Sequence, residues 1–215
     1  MDEILHGIAN LIRTKENRII IGISGHGASG KTTFANSLRK LLGPCGVNYI
    51  NTDPYIIGSN IRKHTMIDYQ FKNENHHYKM TACHPDAHHL SALERDVHMI
   101  KDGLYFYTIG THYSKSTPIS SRNKVNIVEG MSVAFINPNL FDLTIYFYTD
   151  GETELMRRGV RDVSERGTDI NYLRQSHEER RIQYDLFMHQ YHRNFDFVIK
   201  NSNEDFFLEK GVLKK

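Results

Sequence analysis

The stretch that most restricts this chain is GISGHGASGKTTFA, Gly22 to Ala35, set directly behind the aliphatic run of Ile19, Ile20 and Ile21. Branched aliphatics in succession read as a strand buried on both faces, and KTTFANSLRKLL (31–42) reads as a helix that buries Phe34, Leu38, Leu41 and Leu42. Between them, Gly25 to Thr32 satisfies G-x-x-x-x-G-K-[ST]. Glycines let the backbone come close to a ligand where side chains would obstruct it. Successive N–H groups and the helix N-terminus can then face phosphate oxygens. Lys31 has the reach for β- and γ-phosphates, and the Thr32 hydroxyl suits Mg²⁺. Gly25, Gly27, Ala28, Ser29, Gly30, Lys31, Thr32 and Thr33 are therefore the positions expected to touch ATP or another nucleoside triphosphate. The motif says nothing about the reaction.

The rest of the chain alternates short β-rich runs with helical patterns. Strands are expected at 18–25, 47–53, 125–130, 143–149 and 195–200, with helices at 86–103, 151–166 and around 169–193. Such alternation favours a mostly parallel sheet covered on both faces, here an α/β, three-layer α/β/α fold of the P-loop NTPase type. One domain spanning 1–215 is the simplest division. Within it, 54–116 forms an acceptor-side excursion, and 151–193 a lid with its following helix. The interval 54–85 shows no sustained period and reads as irregular, while 104–116 reads as a short strand pair. The N-terminal segment places Ile4, Ile8, Leu11 and Ile12 on one helical face, which reads as packing.

Composition excludes several classes. A formal net charge of +2 does not favour a nucleic-acid partner. No apolar run approaches the ~20 residues that cross a bilayer, so no membrane partner is expected. Two cysteines make no disulfide framework, and a cytoplasmic location is the default.

Two acids fall where a parallel sheet places ligands, at the carboxyl ends of its strands. Asp53, in NTDPYI, can take a proton from an attacking hydroxyl or hold Mg²⁺ through water; the bland reading is an Asp-Pro turn. Glu129, in NIVEGM, is a candidate to bind Mg²⁺ or organise water. Further on, Arg157, Arg158 and Arg161 lie within one helical turn, with Arg166 following. Such a cluster can neutralise charge on a phosphoryl group, or it can form local ion pairs with Glu154 and Asp162.

Together GISGHGASGKTT, TDPY, HPDA, the EG after a strand and RRGVRDVSERG resemble the uridine kinase and phosphoribulokinase family, from about Arg18 to Lys200. The resemblance implies ATP-dependent transfer to a small-molecule hydroxyl, with uridine or cytidine the acceptor. It implies Asp53 and Lys31 as catalytic groups, a lid bearing Arg158, Arg161 and Arg166, and Mg²⁺ on Thr32 and Glu129. It also implies an acceptor pocket of Asp53, Tyr55, His84, Tyr107 and His112. The sequence departs from the family at Ala82-Cys83, where an aromatic-Asp pair holds the nucleoside, at Tyr105 and Ile109, and at Thr168, where an Arg is usual. A kinase of another sugar-like alcohol and a nucleotide-binding regulatory module are the competing readings. A homo-oligomer is compatible with all three. A metal site among His76, His77, Cys83, His84, His88 and His89 is disfavoured, since their spacing matches no recognised zinc pattern.

Overall fold

A computed structural model describes residues 1–43, 46–164, 169–203 and 205–213. In chain order the elements are α1 (Asp2–Arg13), β1 (Ile19–Gly25), α2 (Lys31–Leu42), β2 (Val47–Asn51), α3 (Ser59–Arg62), β3 (Met66–Phe71) and β4 (Glu74–Lys79). There follow α4 (Leu90–Lys101), β5 (Phe106–Tyr107), β6 (Pro118–Ile119), β7 (Val125–Glu129) and β8 (Leu143–Tyr148). The chain closes with α5 (Gly151–Ser164), α6 (Ile170–Phe187), β9 (Phe197–Ser202) and β10 (Asp205–Lys210). The main sheet runs β10-β9-β8-β1-β7-β2, parallel except for β10 against β9.

The period-2 alternation of strand side chains sorts the aliphatics into two cores. Ile19, Ile21 and Ile23 of β1 join Ile127, Ile145 and Ile199 against Ile8 and Ile12 of α1 and Phe34 and Leu38 of α2. Ile20, Val128, Tyr146 and Val198 face the other way, against Leu93 and Val97 of α4 and Tyr184 near the end of α6. Every residue of β1 is buried, which is why it reads as a continuous apolar run. The fold is thus the expected α/β/α type with a mostly parallel sheet.

Two parts differ from the sequence expectation. The interval 54–85 contains α3 and an antiparallel hairpin, β3–β4, in register from Met66↔Lys79 to Phe71↔Glu74. In β3, Ile67, Tyr69 and Phe71 are half-buried and alternate with exposed Met66, Asp68 and Gln70. β4 continues that face only with His76 and Tyr78, and no position in the hairpin is fully buried, so the alternation is too short and too polar to read as a strand pair. β10 adds an edge strand beyond the expected last one. The strand pair expected at 104–116 forms as β5 and β6, whose second strand lies just past that window. Among the described residues no helix is long and apolar enough to cross a membrane.

Candidate active site

The phosphate loop joins β1 to α2 at the carboxyl edge of the sheet. Gly25 has φ +144°, and a Cβ there would lie 2.0 Å from the Phe147 carbonyl oxygen, so only glycine fits. Lys31 folds back to donate to the His26 carbonyl at 3.5 Å, and its Nζ stands 3.8 Å from Glu129 Oε1. Thr32 donates to the same carboxylate oxygen at 3.1 Å. Tyr49, on β2, donates to Glu129 Oε2 at 2.6 Å. Glu129 is thus a buried acid, 2 % exposed, with both oxygens directed by neighbours.

Asp53 follows from strand register. Asn51 pairs with Glu129, and Thr52 N–H continues the ladder to the Glu129 carbonyl. Asp53 is the next residue, exposed on the rim, with its N–H capped by Asn51 Oδ1 at 2.9 Å. The Tyr113 hydroxyl donates to the Asp53 carbonyl at 3.1 Å, and the His112 ring stands edge-on to Tyr113 at 4.8 Å. The 110–116 loop thereby reaches Asp53. Tyr107 does not join this contact: it is exposed and takes a hydrogen bond from the Tyr105 hydroxyl. Tyr55 is fully buried and its hydroxyl donates to Asp96, so it presents no surface to a ligand. His84 receives the Asp86 N–H on Nδ1 and stands edge-on to Phe187 at 4.6 Å; burial lowers its pKa.

Ala82 and Cys83 are buried at 7 % and 2 % exposure, and burial raises the Cys83 thiol pKa. His88 Nε2 donates to the Ala82 carbonyl at 2.8 Å while Nδ1 accepts from Ser132. His76 pairs with Glu179 and His77 with Asp68, on opposite faces of β4. Among the described residues no three His, Cys, Asp or Glu converge to hold a metal ion.

The arginine helix divides its labour. Arg157 reaches the loop: it donates to the Ala28 carbonyl at 3.4 Å, the Asn201 carbonyl at 3.0 Å and Asn201 Oδ1 at 3.0 Å. Asn201 Nδ2 in turn donates to the Ser29 carbonyl at 2.9 Å. Arg158 is 6 % exposed, with Nη1 3.9 Å from Glu154; Arg161 is half-buried. Arg166 and Thr168, like Cys45, lie outside the described residues.

Sequence reading missed Asn201 and His26, while Glu154 takes the local ion pair with Arg158 that the sequence offered and adds one with Arg181. Asn201 sits one residue past the predicted end of the fifth parallel strand, so the strand-end rule that found Asp53 points to it too. His26 accepts the Thr149 N–H on Nε2 at 3.0 Å and donates from Nδ1 to the Gly27 carbonyl at 2.8 Å. Burial draws its pKa down to about 4, so the ring, as a neutral base, ties the loop to Thr149, the residue after β8. Burial works to raise the Glu154 carboxyl, but His26, Arg180, Arg181 and Arg158 together hold it below its ordinary value.

A strand–glycine loop–helix unit with Lys31, Thr32 and a buried acid at one sheet edge defines a nucleotide-binding α/β protein of the phosphate-loop class. More narrowly, the chain belongs to the Phosphoribulokinase / Uridine kinase family, whose model matches residues 20–205. It is 30% identical over 155 residues to a uridine kinase of Clostridium perfringens, covering 71% of this chain and 72% of that one. In structure it is similar to the phosphoribulokinase of Rhodobacter spheroides, with TM-score 0.63, 16% identity, and 87% and 71% of the two chains covered. It is also similar to the D-glycerate 3-kinase of Cryptococcus neoformans, with TM-score 0.59, 10% identity, and coverage of 95% and 99%.

Proposed function

We propose that this protein transfers the γ-phosphoryl group of ATP to the hydroxyl of a small molecule, with Asp53 as the base. The observation that carries the reading is the register of β2 on β7. It sets an exposed carboxylate, Asp53, two residues beyond the partner of Glu129, and so beside the Lys31–Thr32–Glu129 cluster. Mg²⁺ suits the same cluster, because the Thr32 hydroxyl and the Glu129 carboxylate bring two hard oxygen donors within 3.1 Å of each other; Thr32 and Glu129 would hold it. When bound, it would neutralise charge on the phosphates.

The step balances without any further reactant. The acceptor hydroxyl gives its proton to the Asp53 carboxylate, its oxygen bonds to the γ-phosphorus, and the bond to the β-phosphate oxygen breaks to release ADP. Lys31 and the backbone N–H groups of Gly30 to Thr33 stabilise charge on the phosphates. Arg158, Arg161 and Arg166 are assigned to the lid that closes over them.

Support for a pyrimidine nucleoside acceptor comes from the relatives' name, from His84 in the HPDA segment, and from Tyr107 and His112, which keep the Tyr-to-His spacing of the uridine kinase resemblance. A different alcohol is favoured by one specific observation: the Ala82-Cys83 wall is apolar and buried, and supplies no carboxylate to hold ribose hydroxyls. Coupled ADP release with uridine, cytidine, sugars and sugar acids separates the two. Stimulation by uridine alone establishes the nucleoside reading. ATP binding with no acceptor-dependent ADP release across the panel overturns the kinase reading in favour of a regulatory module.

A further inference from the structure

One face of α6 looks onto the acceptor wall. Gln183 receives the Thr81 N–H on Oε1 at 2.9 Å and donates to the Lys79 carbonyl at 3.0 Å. One turn further, Phe187 meets the His84 ring. Arg180 lies three residues before Gln183 and seven before Phe187, the spacing that keeps all three on one helical face. The same face therefore aims Arg180 at the segment from Lys79 to His84.

On its other side, Arg180 meets the phosphate loop. Its Nη2 lies 3.8 Å from where a Cβ on Gly27 would stand. Its Nε is buried, and the guanidinium makes no hydrogen bond among the described residues. The carboxylate that feels it, Glu154, already has Arg181 at 3.2 Å and Arg158 at 3.9 Å. An arginine placed without a hydrogen-bond partner between a phosphate loop and an acceptor wall is a fork prepared for an incoming oxyanion.

A second guanidinium is anchored on the same Lys79 to His84 segment. Arg62, at the end of α3, is anchored by Nε to the Ile57 carbonyl at 2.7 Å and by Nη1 to the Met80 carbonyl at 3.1 Å. Its Nη2 makes no hydrogen bond among the described residues. Burial and then the neighbouring charge of Arg180 lower its pKa, so the two cations share one locale with Cys83 in it. The Ala82, Cys83 and His84 wall brings no negative charge of its own, and Glu154, which acts on both Cys83 and Arg180, is already shared with Arg181 and Arg158. Two cations held together beside an uncharged wall are stabilised by an anion between them.

We propose that Arg180 and Arg62 form an oxyanion-binding pair in the acceptor site, and that the alcohol phosphorylated here carries a carboxylate or phosphate of its own. The proposal rests on the kinase reading above and narrows its acceptor class. It assigns Arg180 to the acceptor, and not to the phosphoryl group in flight.

The test uses matched acceptors that differ by one anionic group: glycerate with glycerol, ribose 5-phosphate with ribose, and uridine 3′-monophosphate with uridine. With the phosphate loop filled by a non-hydrolysable ATP analogue, each is titrated calorimetrically against the full-length protein. At least one anionic member is expected to bind about 10-fold or more tightly than its neutral partner. Which pair shows the difference separates a carboxylate from a phosphate. Arg180→Gln is expected to abolish that ratio and Arg180→Lys to restore part of it. Neutral members binding as well as anionic ones overturns the proposal, as does an Arg180→Gln loss shared equally by every acceptor. Binding is read without turnover, so absence of ADP release would count against the kinase reading alone.

Discussion

The Thr32 hydroxyl and the Glu129 carboxylate, 97 residues apart in sequence, meet in a 3.1 Å hydrogen bond at the carboxyl edge of the sheet. Tyr49 donates to the other Glu129 oxygen, and burial, followed by the charge of Glu129, pushes the Tyr49 pKa up, so the phenol remains a donor. Glu129→Gln is expected to lower turnover about 10²-fold or more and to weaken its dependence on Mg²⁺. Tyr49→Phe frees one oxygen and is expected to have a smaller effect, roughly 3- to 10-fold, seen mainly as a higher Mg²⁺ requirement. ADP release titrated against Mg²⁺ measures both. A Glu129→Gln variant with the parental Mg²⁺ profile removes Glu129 from the metal site.

Asp53→Asn keeps the shape of the rim while removing the proton acceptor. ATP affinity is expected to stay near that of the parent, with kcat reduced by about 10²-fold or more. Calorimetry and steady-state kinetics on the same preparation read the two quantities. An active Asn variant would assign the proton to another group.

Asn201 joins the last parallel strand to the phosphate loop through Ser29 and to α5 through Arg157. Asn201→Ala leaves the Ser29 carbonyl and one Arg157 nitrogen without these partners. A loss of about 1–2 kcal/mol in unfolding free energy and roughly 10-fold in ATP affinity is expected, from denaturant unfolding and calorimetry. An unchanged affinity would show that the loop keeps its form without this link.

Acid sensitivity follows from two buried imidazoles. Burial draws both His26 and His88 from 6.5 down to about 4. Unfolding returns each to its ordinary value, so between those limits the unfolded chain binds protons that the folded chain refuses. Stability is full above the unfolded pKa and falls as pH drops toward the folded one, by about 3 kcal/mol for each group. His88→Gln keeps an acceptor for Ser132 and a donor for the Ala82 carbonyl but does not titrate. Its unfolding free energy is expected to fall about 3 kcal/mol less than the parent's over that interval. Equal pH profiles would contradict this account.

The parallel sheet was legible because β1, β7 and β8 bury both faces and carry aliphatic or aromatic side chains at most positions, and because glycine and lysine spacing in the loop has few structural solutions. The placement of Asp53 and Glu129 at one sheet edge was legible too, because each closes or follows an apolar run that reads as a parallel strand. The β3–β4 hairpin was hidden, because its half-buried side, Ile67, Tyr69 and Phe71, spans only three positions and is continued in β4 by His76 and Tyr78, with no fully buried residue. The role of Arg180 was also hidden. It reads as one more charge on a polar helix until Gln183 and Phe187 show which face of α6 meets Thr81 and His84. Tyr55 marks the converse limit: an aromatic after Asp53 reads as a substrate contact, yet Asp96, far along the chain, draws its hydroxyl into the core.

The central claim, transfer to an acceptor alcohol, is tested most directly by following the γ-phosphorus itself. Protein, Mg²⁺·ATP and the best acceptor from the matched panel are incubated and monitored by ³¹P NMR. The account predicts a new phosphomonoester resonance that grows one-for-one with ADP and is lost in Asp53→Asn. Orthophosphate appearing in its place, or ATP bound without turnover for every acceptor, would contradict it.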